Sequence, residues 1–443
     1  MTPRAADMSI QRQHDVDRST EIGRFVEYGY PWSTLSDAKR DSAEFNDLRK
    51  PGWLPTAIVI NILTLEDERR TGRVDKKDIV SLRDDGSTSL LLPYKDGVGN
   101  WKPTSLPPFE VIDGQHRLWA FNDSSDPTFE MPVVAFYGLD ISWQAYLFWT
   151  INIKPKKINP SLAFDLYPLL RAEDWLERGE GHVVYRETRS QELTEILWSY
   201  PDSPWFDKIN MLGERQNPWV SQSAWVKSMI ATFVKPWKAR GARWGGLFGS
   251  RMHDEDEVLG WRRAQQAAFL ILAWQKLQDA VENSKENWAK ALRASYPRKG
   301  GYLDSREDAA FYGPHTLIAT DQGVRAYLHV LNDLSYLQAS KLKLDEWDTK
   351  SGSKNASGDD VDLYLKSAKK TALEDFLISL AEGLSTFDWR TSAADTLSEE
   401  ERRQKLVFRG SGGYRELRLQ LLEHLAIRED DLGRVAQRVR DGL

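Results

Sequence analysis

The spacing of apolar and polar residues predicts strands in the first part of the chain and helices in the rest. The segment "WLPTAIVINIL" (53–63) carries a run of β-branched residues, which is typical of a buried strand. Shorter apolar segments predict further strands at "SLLLPY" (89–94), 109–113 and 132–137. From about residue 190 onward the spacing is helical, and 259–295 is the longest such stretch.

These elements predict an α+β fold, in which an N-terminal mixed domain precedes a mainly α-helical C-terminal region. Residues 1–20 are polar and lack the apolar stretch of a signal peptide, so we expect a disordered tail and a cytoplasmic protein. We place the first domain at 21–190 and the helical domain at 191–443. The composition of "KSGSKNASGDDVD" predicts a flexible linker at about 350–362.

Two helix starts are also predicted from side-chain caps. Ser161 is expected to cap a helix that runs to Leu170. Ser398 and Glu401 have the spacing of a capping box.

The amino-acid composition excludes several kinds of functional site. The chain has no cysteine, which excludes disulfides, thiolate metal sites and cysteine nucleophiles. A net charge of −6 is unlike that of a protein that only coats nucleic acid, so any DNA contact must come from a local patch. No apolar run reaches 18 residues, and we therefore expect no membrane span.

The chemistry of greatest interest lies in "EVIDGQHRLWAF" (110–121), between a predicted strand and a predicted helix. A strand–turn–helix junction directs backbone N–H groups and a positive dipole end at one spot, which suits an anion. Gly114 permits close approach of a ligand, and the guanidinium of Arg117 can clamp a phosphate. The alternative is a plain turn, with Asp113 as helix cap or as the ion-pair partner of Arg117.

The sequence "VIDGQHR" (111–117) resembles the signature of the DGQHR-domain family, which includes the DndB-type and DpdB-type proteins of DNA-modification systems. That family looks like a branch of the ParB/sulfiredoxin-like fold, whose turn cradles the phosphates of a nucleotide. The resemblance continues through 131–139 and through "FWTINIKPKKINPSLAFDLY" (148–167), and covers roughly residues 20–170. Sulfiredoxins carry a cysteine where this chain has Gln115, so the resemblance does not extend to sulfur reduction.

The resemblance implies a protein that binds ATP and hydrolyses it within a DNA modification system of the 7-deazaguanine or phosphorothioate type. Such systems belong to restriction-modification and phage defence. Arg117 would hold the phosphates, Asp113 a Mg²⁺ ion or a water, and Gln115 and His116 the attacking water. Further nucleotide contacts are expected from Gly114, Asn152, Lys154 and Lys157. Replacing Arg117 by alanine is then expected to stop turnover without unfolding the chain.

The second hypothesis is a non-catalytic, DNA-binding transcriptional regulator of a modification operon, as DndB-like proteins are taken to be. The segment 233–251 interleaves cations with aromatic rings, a pattern that suits a phosphate backbone. Its candidate DNA contacts are Lys235, Lys238, Arg240 and Arg243. A glycine-rich surface loop is the alternative interpretation. Other proteins of the modification system are expected partners, and self-association is left open.

A second glycine-rich turn occurs in "RGSGGYRELR" (409–418). Glycine amides at the start of a helix can bind phosphate, whereas a simple helix-entry turn explains the same residues without a ligand.

Overall fold

The structure is a computed structural model of the 443-residue chain. The residues that it describes are 15–29, 32–35, 40, 46, 49, 52–69, 72–83, 89–93, 102–121, 129–153, 159–165, 183–235, 244–249, 259, 261–297, 301–347, 358–410 and 412–443.

The chain divides into two compact units, Met1–Lys157 and Ile158–Leu443, which we call unit 1 and unit 2. The boundary lies before the predicted position at 190 because the next segments pack within unit 2. Asn159, for example, donates from Nδ2 to the carbonyl oxygens of Leu212 and Gly213, at 3.0 and 2.7 Å.

Unit 1 is built on a three-stranded sheet of β1 (Ile58–Ile62), β6 (Phe109–Asp113) and β7 (Val133–Tyr137). β1 lies in the centre, antiparallel to β6 and parallel to β7. The predicted strands at 53–63, 109–113 and 132–137 are therefore present, and Ile58 and Ile62 are buried. Two short hairpins pair β2 (Glu68–Arg69) with β3 (Gly72–Arg73) and β4 (Ser81–Leu82) with β5 (Leu90–Leu91).

The α-helices of unit 1 whose bounds the described residues give are α1 (Val16–Tyr28), α2 (Gln115–Trp119) and α3 (Ile141–Ile153). Asp15 caps α1 by accepting a hydrogen bond from the N–H of Arg18 at 3.1 Å. The predicted tail at 1–20 is thus helical from Val16 onward, because an amphipathic segment follows a good cap; residues 1–14 lie outside the described part.

Within its described residues, unit 2 consists of helices joined by turns. They are α4 (Pro160–Asp165), α5 (Val183–Ser199), α6 (Gln222–Ala231), α7 (Arg263–Glu282), α8 (Asn287–Ser295), α9 (Ala309–Tyr312), α10 (Asp321–Leu337), α11 (Gly358–Ser367), α12 (Ala372–Ser385), α13 (Glu399–Lys405), α14 (Gly413–Ala426) and α15 (Asp431–Arg440). The mixed α+β class predicted from the patterning is confirmed.

The core of unit 2 is rich in tryptophan. The ring of Trp205 lies 5.1 Å from that of Trp225 and 5.0 Å from that of Trp274, and all three are fully buried. Edge-to-face contacts between such large rings add to the hydrophobic stabilisation that burial provides. These tryptophans serve packing, which agrees with the sequence interpretation.

Two predicted boundaries in unit 2 need correction. The expected linker at 350–362 is helical from Gly358, where the buried Val361 gives α11 a packed face; residues 350–357 lie outside the described part. Ser161 lies inside α4 and does not cap it, since its N–H donates to Asn159 Oδ1 at 3.0 Å. The capping box of Ser398 and Glu401 is confirmed at the start of α13.

No helix in the described ranges is both long enough and apolar enough to cross a bilayer.

Candidate functional site

The DGQHR turn (residues 113–117) joins the end of β6 to the start of α2. Asp113 lies opposite Val59 in the sheet, next to an irregularity in the ladder between Val59 and Ile60. Such bulges twist a strand and redirect its side chains, and they are common beside functional sites. The predicted strand–turn–helix junction is therefore present, although α2 has only five residues.

Gly114 is the N-cap of α2 and has a left-handed backbone, with φ of 100° and ψ of 11°. A Cβ atom there would lie 2.7 Å from Ile58 Cδ1 and 2.8 Å from Arg117 Nη2. Both the backbone angle and the close approach of the guanidinium require glycine at this position. Asp113 does not cap the helix, so that part of the alternative interpretation is wrong.

Replacing Gly114 by alanine is expected to destabilise unit 1 by about 2 kcal/mol or more, because left-handed strain and steric clash add together. Gly72→Ala is the matched control: Gly72 also has positive φ (116°), but nothing lies within 4 Å of the position of its Cβ. Denaturant unfolding of both variants measures the difference. Equal losses in the two variants would mean that Arg117 does not pack on Gly114 in solution.

Arg117 is held by the protein itself in this structure. Its Nη2 donates to Asp113 Oδ2 at 2.8 Å and to the carbonyl oxygen of Ala57 at 3.1 Å, and its Nη1 donates to Thr56 Oγ1. The ion pair that the sequence offered as the alternative to a phosphate clamp is thus formed. It connects the segment before β1 to the start of α2. Arg117 Nε is buried and has no acceptor among the described residues.

Asn152 of α3 reaches the same place. Its Nδ2 donates to Asp113 Oδ1 at 3.5 Å and to the carbonyl oxygen of Phe148 at 3.0 Å. The structure therefore brings Asn152 to the DGQHR turn, where the resemblance places it. Both carboxylate oxygens of Asp113 already accept hydrogen bonds, one from Asn152 and one from Arg117.

A cavity of about 110 Å³ lies beside the turn, and we call it the DGQHR cavity. All five residues of the turn line it, together with Asn152, Phe148, Ile112, Ile22 and Arg18. Sequence reasoning missed Arg18, because no spacing rule connects a residue of α1 to a turn so far along the chain. The Arg18 side chain is exposed and has no ion-pair partner in the part of the chain that the structure describes.

Near the start of β6, Glu110 forms hydrogen bonds that connect the strand to its neighbours and do not reach the DGQHR cavity. Arg69 holds Glu110 with two hydrogen bonds, Nε to Oε1 at 2.7 Å and Nη2 to Oε2 at 2.8 Å. The bond to Glu110 raises the pKa of Arg69. Gln144 of α3 also donates to Glu110, at 3.3 Å. Glu110 is therefore fully engaged in joining β6 to its neighbours.

Of the lysine and arginine residues predicted to contact nucleotide or DNA in 154–157 and 235–243, the structure describes only Lys235. Lys154 and Lys157 lie outside the described residues, as do Lys238, Arg240 and Arg243. Lys235 is half-buried near Asp333 in unit 2, and burial lowers the pKa of its ammonium group. Its contact with DNA stays a prediction.

The donor set does not form a ready-made magnesium site. No three His, Asp or Glu side chains gather as metal ligands anywhere in the described ranges. Asp113 is the carboxylate at the cavity, and its oxygens accept bonds from Arg117 and Asn152. Magnesium prefers several oxygen ligands in octahedral geometry, which these residues alone do not supply.

Comparison with known proteins gives no relative for this chain. No family model, no curated protein and no solved structure matches it.

Proposed function

We propose that the DGQHR cavity binds the phosphate groups of ATP and that the chain hydrolyses the nucleotide as part of a DNA-modification system. The observation that carries this proposal is the cavity itself. It gathers the whole DGQHR turn with Asn152, as a ParB/sulfiredoxin-like fold would, and adds Arg18, a cation without an ion-pair partner among the described residues. Membership of the DGQHR-domain family is part of the same proposal.

The size of the cavity indicates which part of the nucleotide it takes. Pockets that enclose a whole drug-sized ligand usually have volumes of about 300–1,000 Å³. At about 110 Å³ the DGQHR cavity has room for phosphate groups, so the base and the ribose would lie outside it. A base outside the cavity is consistent with the DGQHR turn, whose sequence does not indicate which nucleotide is bound.

The two arginines that line the cavity differ in their contacts. Arg18 is exposed and has no ion-pair partner among the described residues, whereas Arg117 is bound to Asp113. The buried Nε of Arg117 still lacks an acceptor among the described residues, and a phosphate oxygen would satisfy it. We therefore assign first contact with phosphate to Arg18 and stabilisation of the developing charge to Arg117.

The remaining residues of the turn would position water. Gln115 and His116 both line the cavity, and the imidazole of His116 is held edge-on to Trp119 at 5.3 Å. An amide and an imidazole beside bound phosphate are suited to orient the attacking water. Because the protein donors do not form a magnesium site, we propose that Mg²⁺ enters with the nucleotide.

The test is a phosphate-release assay with the four ribonucleoside triphosphates, with and without Mg²⁺ and DNA. We expect the wild-type protein to release phosphate from ATP. In Arg18→Gln the rate of release should fall at least about tenfold, because charged hydrogen bonds contribute about 1.5–3 kcal/mol each. Arg24→Gln on the same helix is the matched control, since Arg24 does not line the cavity. Wild-type protein that neither releases phosphate nor binds any of the nucleotides would overturn the proposal.

The same assay distinguishes ATP hydrolysis from the alternative function, that of a non-catalytic DNA-binding regulator. That function predicts DNA affinity that falls steeply as salt rises, with no phosphate release in any arm.

A further inference from the structure

Unit 2 contains a second cavity, of about 270 Å³, which we call the three-helix cavity. It lies where α6, α10 and α14 begin, between Ser223, Gln322 and Tyr414. These helices have 10, 17 and 14 residues, so each has a developed dipole whose positive end is at the cavity. The glycine turn before α14, noted in the sequence, forms one wall through Gly410.

Two cations, Arg325 and Lys227, line the three-helix cavity, and neither forms an ion pair among the described residues, although Lys227 is near enough to Asp321 to lower its pKa. The guanidinium carbon of Arg325 lies 3.8 Å from the centroid of the Tyr414 ring, which is a cation–π contact. Its Nε is buried without a hydrogen-bond acceptor among the described residues. Lys227 is exposed on α6 and forms no ion pair within the same described set.

A serine in the cavity wall gives an independent indication of a ligand. Ser223 lines the cavity and is only 8% exposed, yet its side chain has no hydrogen-bond partner among the described residues. The backbone N–H of Ser223 is already paired, with Ser161 Oγ at 3.1 Å. Ser223 thus leaves its hydroxyl, and not its amide, for a molecule in the cavity.

The charge balance favours an anion over a metal ion. Asp321, the first residue of α10, is the acid at this cavity, and the two cations outweigh it. One carboxylate is too few for a metal site, and no group of three metal-ligating side chains occurs in the described ranges. Gln322 donates from Nε2 to the carbonyl oxygen of Gly410 at 3.2 Å and so fixes the glycine turn against α10.

We propose that the three-helix cavity binds a phosphate group of a small phosphorylated molecule. The guanidinium of Arg325, whose Nε lacks an acceptor among the described residues, and the ammonium of Lys227 supply the positive charge, and the Ser223 hydroxyl donates to a phosphate oxygen. A volume of about 270 Å³ is close to that of small-molecule sites, which favours a small ligand over a long polyanion such as the DNA backbone. This site is separate from the DGQHR cavity and does not depend on the function proposed there.

The experiment is calorimetric titration of the full chain with inorganic pyrophosphate at constant ionic strength. It is done on Arg18→Gln, which lacks the exposed cation of the DGQHR cavity, so that binding reports the three-helix cavity. We expect that adding Arg325→Leu weakens affinity by about tenfold or more, since it removes charged hydrogen bonds. Lys227→Met should weaken it severalfold, and Asp321→Asn should strengthen it by removing a like charge.

Two control variants each remove an exposed cation that lies away from the cavity. Arg403→Leu on α13 and Lys290→Met on α8 should leave affinity unchanged. If Arg325→Leu loses its circular dichroism, Arg325→Lys keeps the charge without the planar fork and should still bind more weakly than the parent.

A competition experiment distinguishes a small phosphorylated molecule from a nucleic-acid backbone as the source of the phosphate. Pyrophosphate binding that a single-stranded oligonucleotide without terminal phosphates does not displace supports a small-molecule ligand. Displacement by that oligonucleotide would overturn the small-molecule assignment. No heat with pyrophosphate, or equal affinity in Arg325→Leu, Lys227→Met and the two controls, would overturn the site altogether.

Discussion

Replacing Arg117 by alanine is expected to lower the free energy of unfolding by about 2–3 kcal/mol and also to stop nucleotide hydrolysis. The sequence predicted the loss of turnover without unfolding of the chain. The structure adds an expected loss of stability, because the guanidinium donates to Asp113, Ala57 and Thr56 and is 17% exposed. Its removal leaves the Asp113 carboxylate, 23% exposed, without its ionic partner. Denaturant unfolding and phosphate release measure the two effects separately.

A double-mutant cycle identifies the cause of the instability. In Asp113→Asn/Arg117→Ala the uncompensated charge is gone, so part of the lost stability should return. Arg69→Ala is the matched control for turnover, since Arg69 forms a comparable pair with Glu110 in the same sheet but does not line the cavity. It should lose stability and keep turnover. Undiminished hydrolysis in Arg117→Ala at a temperature where it is folded would remove Arg117 from the catalytic assignment.

Replacing Arg418 by leucine is expected to destabilise unit 2 by about 3–5 kcal/mol, the largest loss that we predict. Arg418 Nη2 pairs with Asp333 Oδ2, and the Asp333 side chain is fully buried, at 0% exposure. Burial raises the pKa of Asp333, and Arg418 opposes that rise. Without Arg418 the carboxylate would keep only Asn332, which donates to its Oδ1 at 3.0 Å, and the nearby Lys235.

Tryptophan fluorescence during denaturant unfolding measures this loss, because Trp205, Trp225 and Trp274 lie in the core of unit 2. Asp333→Asn/Arg418→Leu should be more stable than Arg418→Leu, since no unpaired charge is then buried. Arg434→Leu is the control, as Arg434 is 74% exposed and its ion pair with Asp431 should contribute little. If the double variant is no more stable than Arg418→Leu, an unpaired carboxylate is not the cause.

The sequence by itself determined the three strands of the central sheet, the mixed class and the place of the candidate site, whereas it did not predict β2, β3 and β4. β-branched runs predicted β1 because a buried strand needs apolar side chains on both faces. The DGQHR turn was located because aspartate and glycine between two apolar segments interrupt regular structure, and the capping box at Ser398 was readable because its partner Glu401 is three residues away. These signals are all local, since each depends on residues within one turn of one another.

Only the tertiary structure decided how the charges are used. Whether Arg117 faces a ligand or Asp113 depends on Thr56 and Ala57, which approach it across the sheet. Arg18 reaches the DGQHR cavity from α1, and Arg325 meets Tyr414 from another helix, at separations that no periodicity records. A charged side chain takes the partner that packing places within hydrogen-bond distance, and that distance is set by the fold and not by the neighbouring sequence.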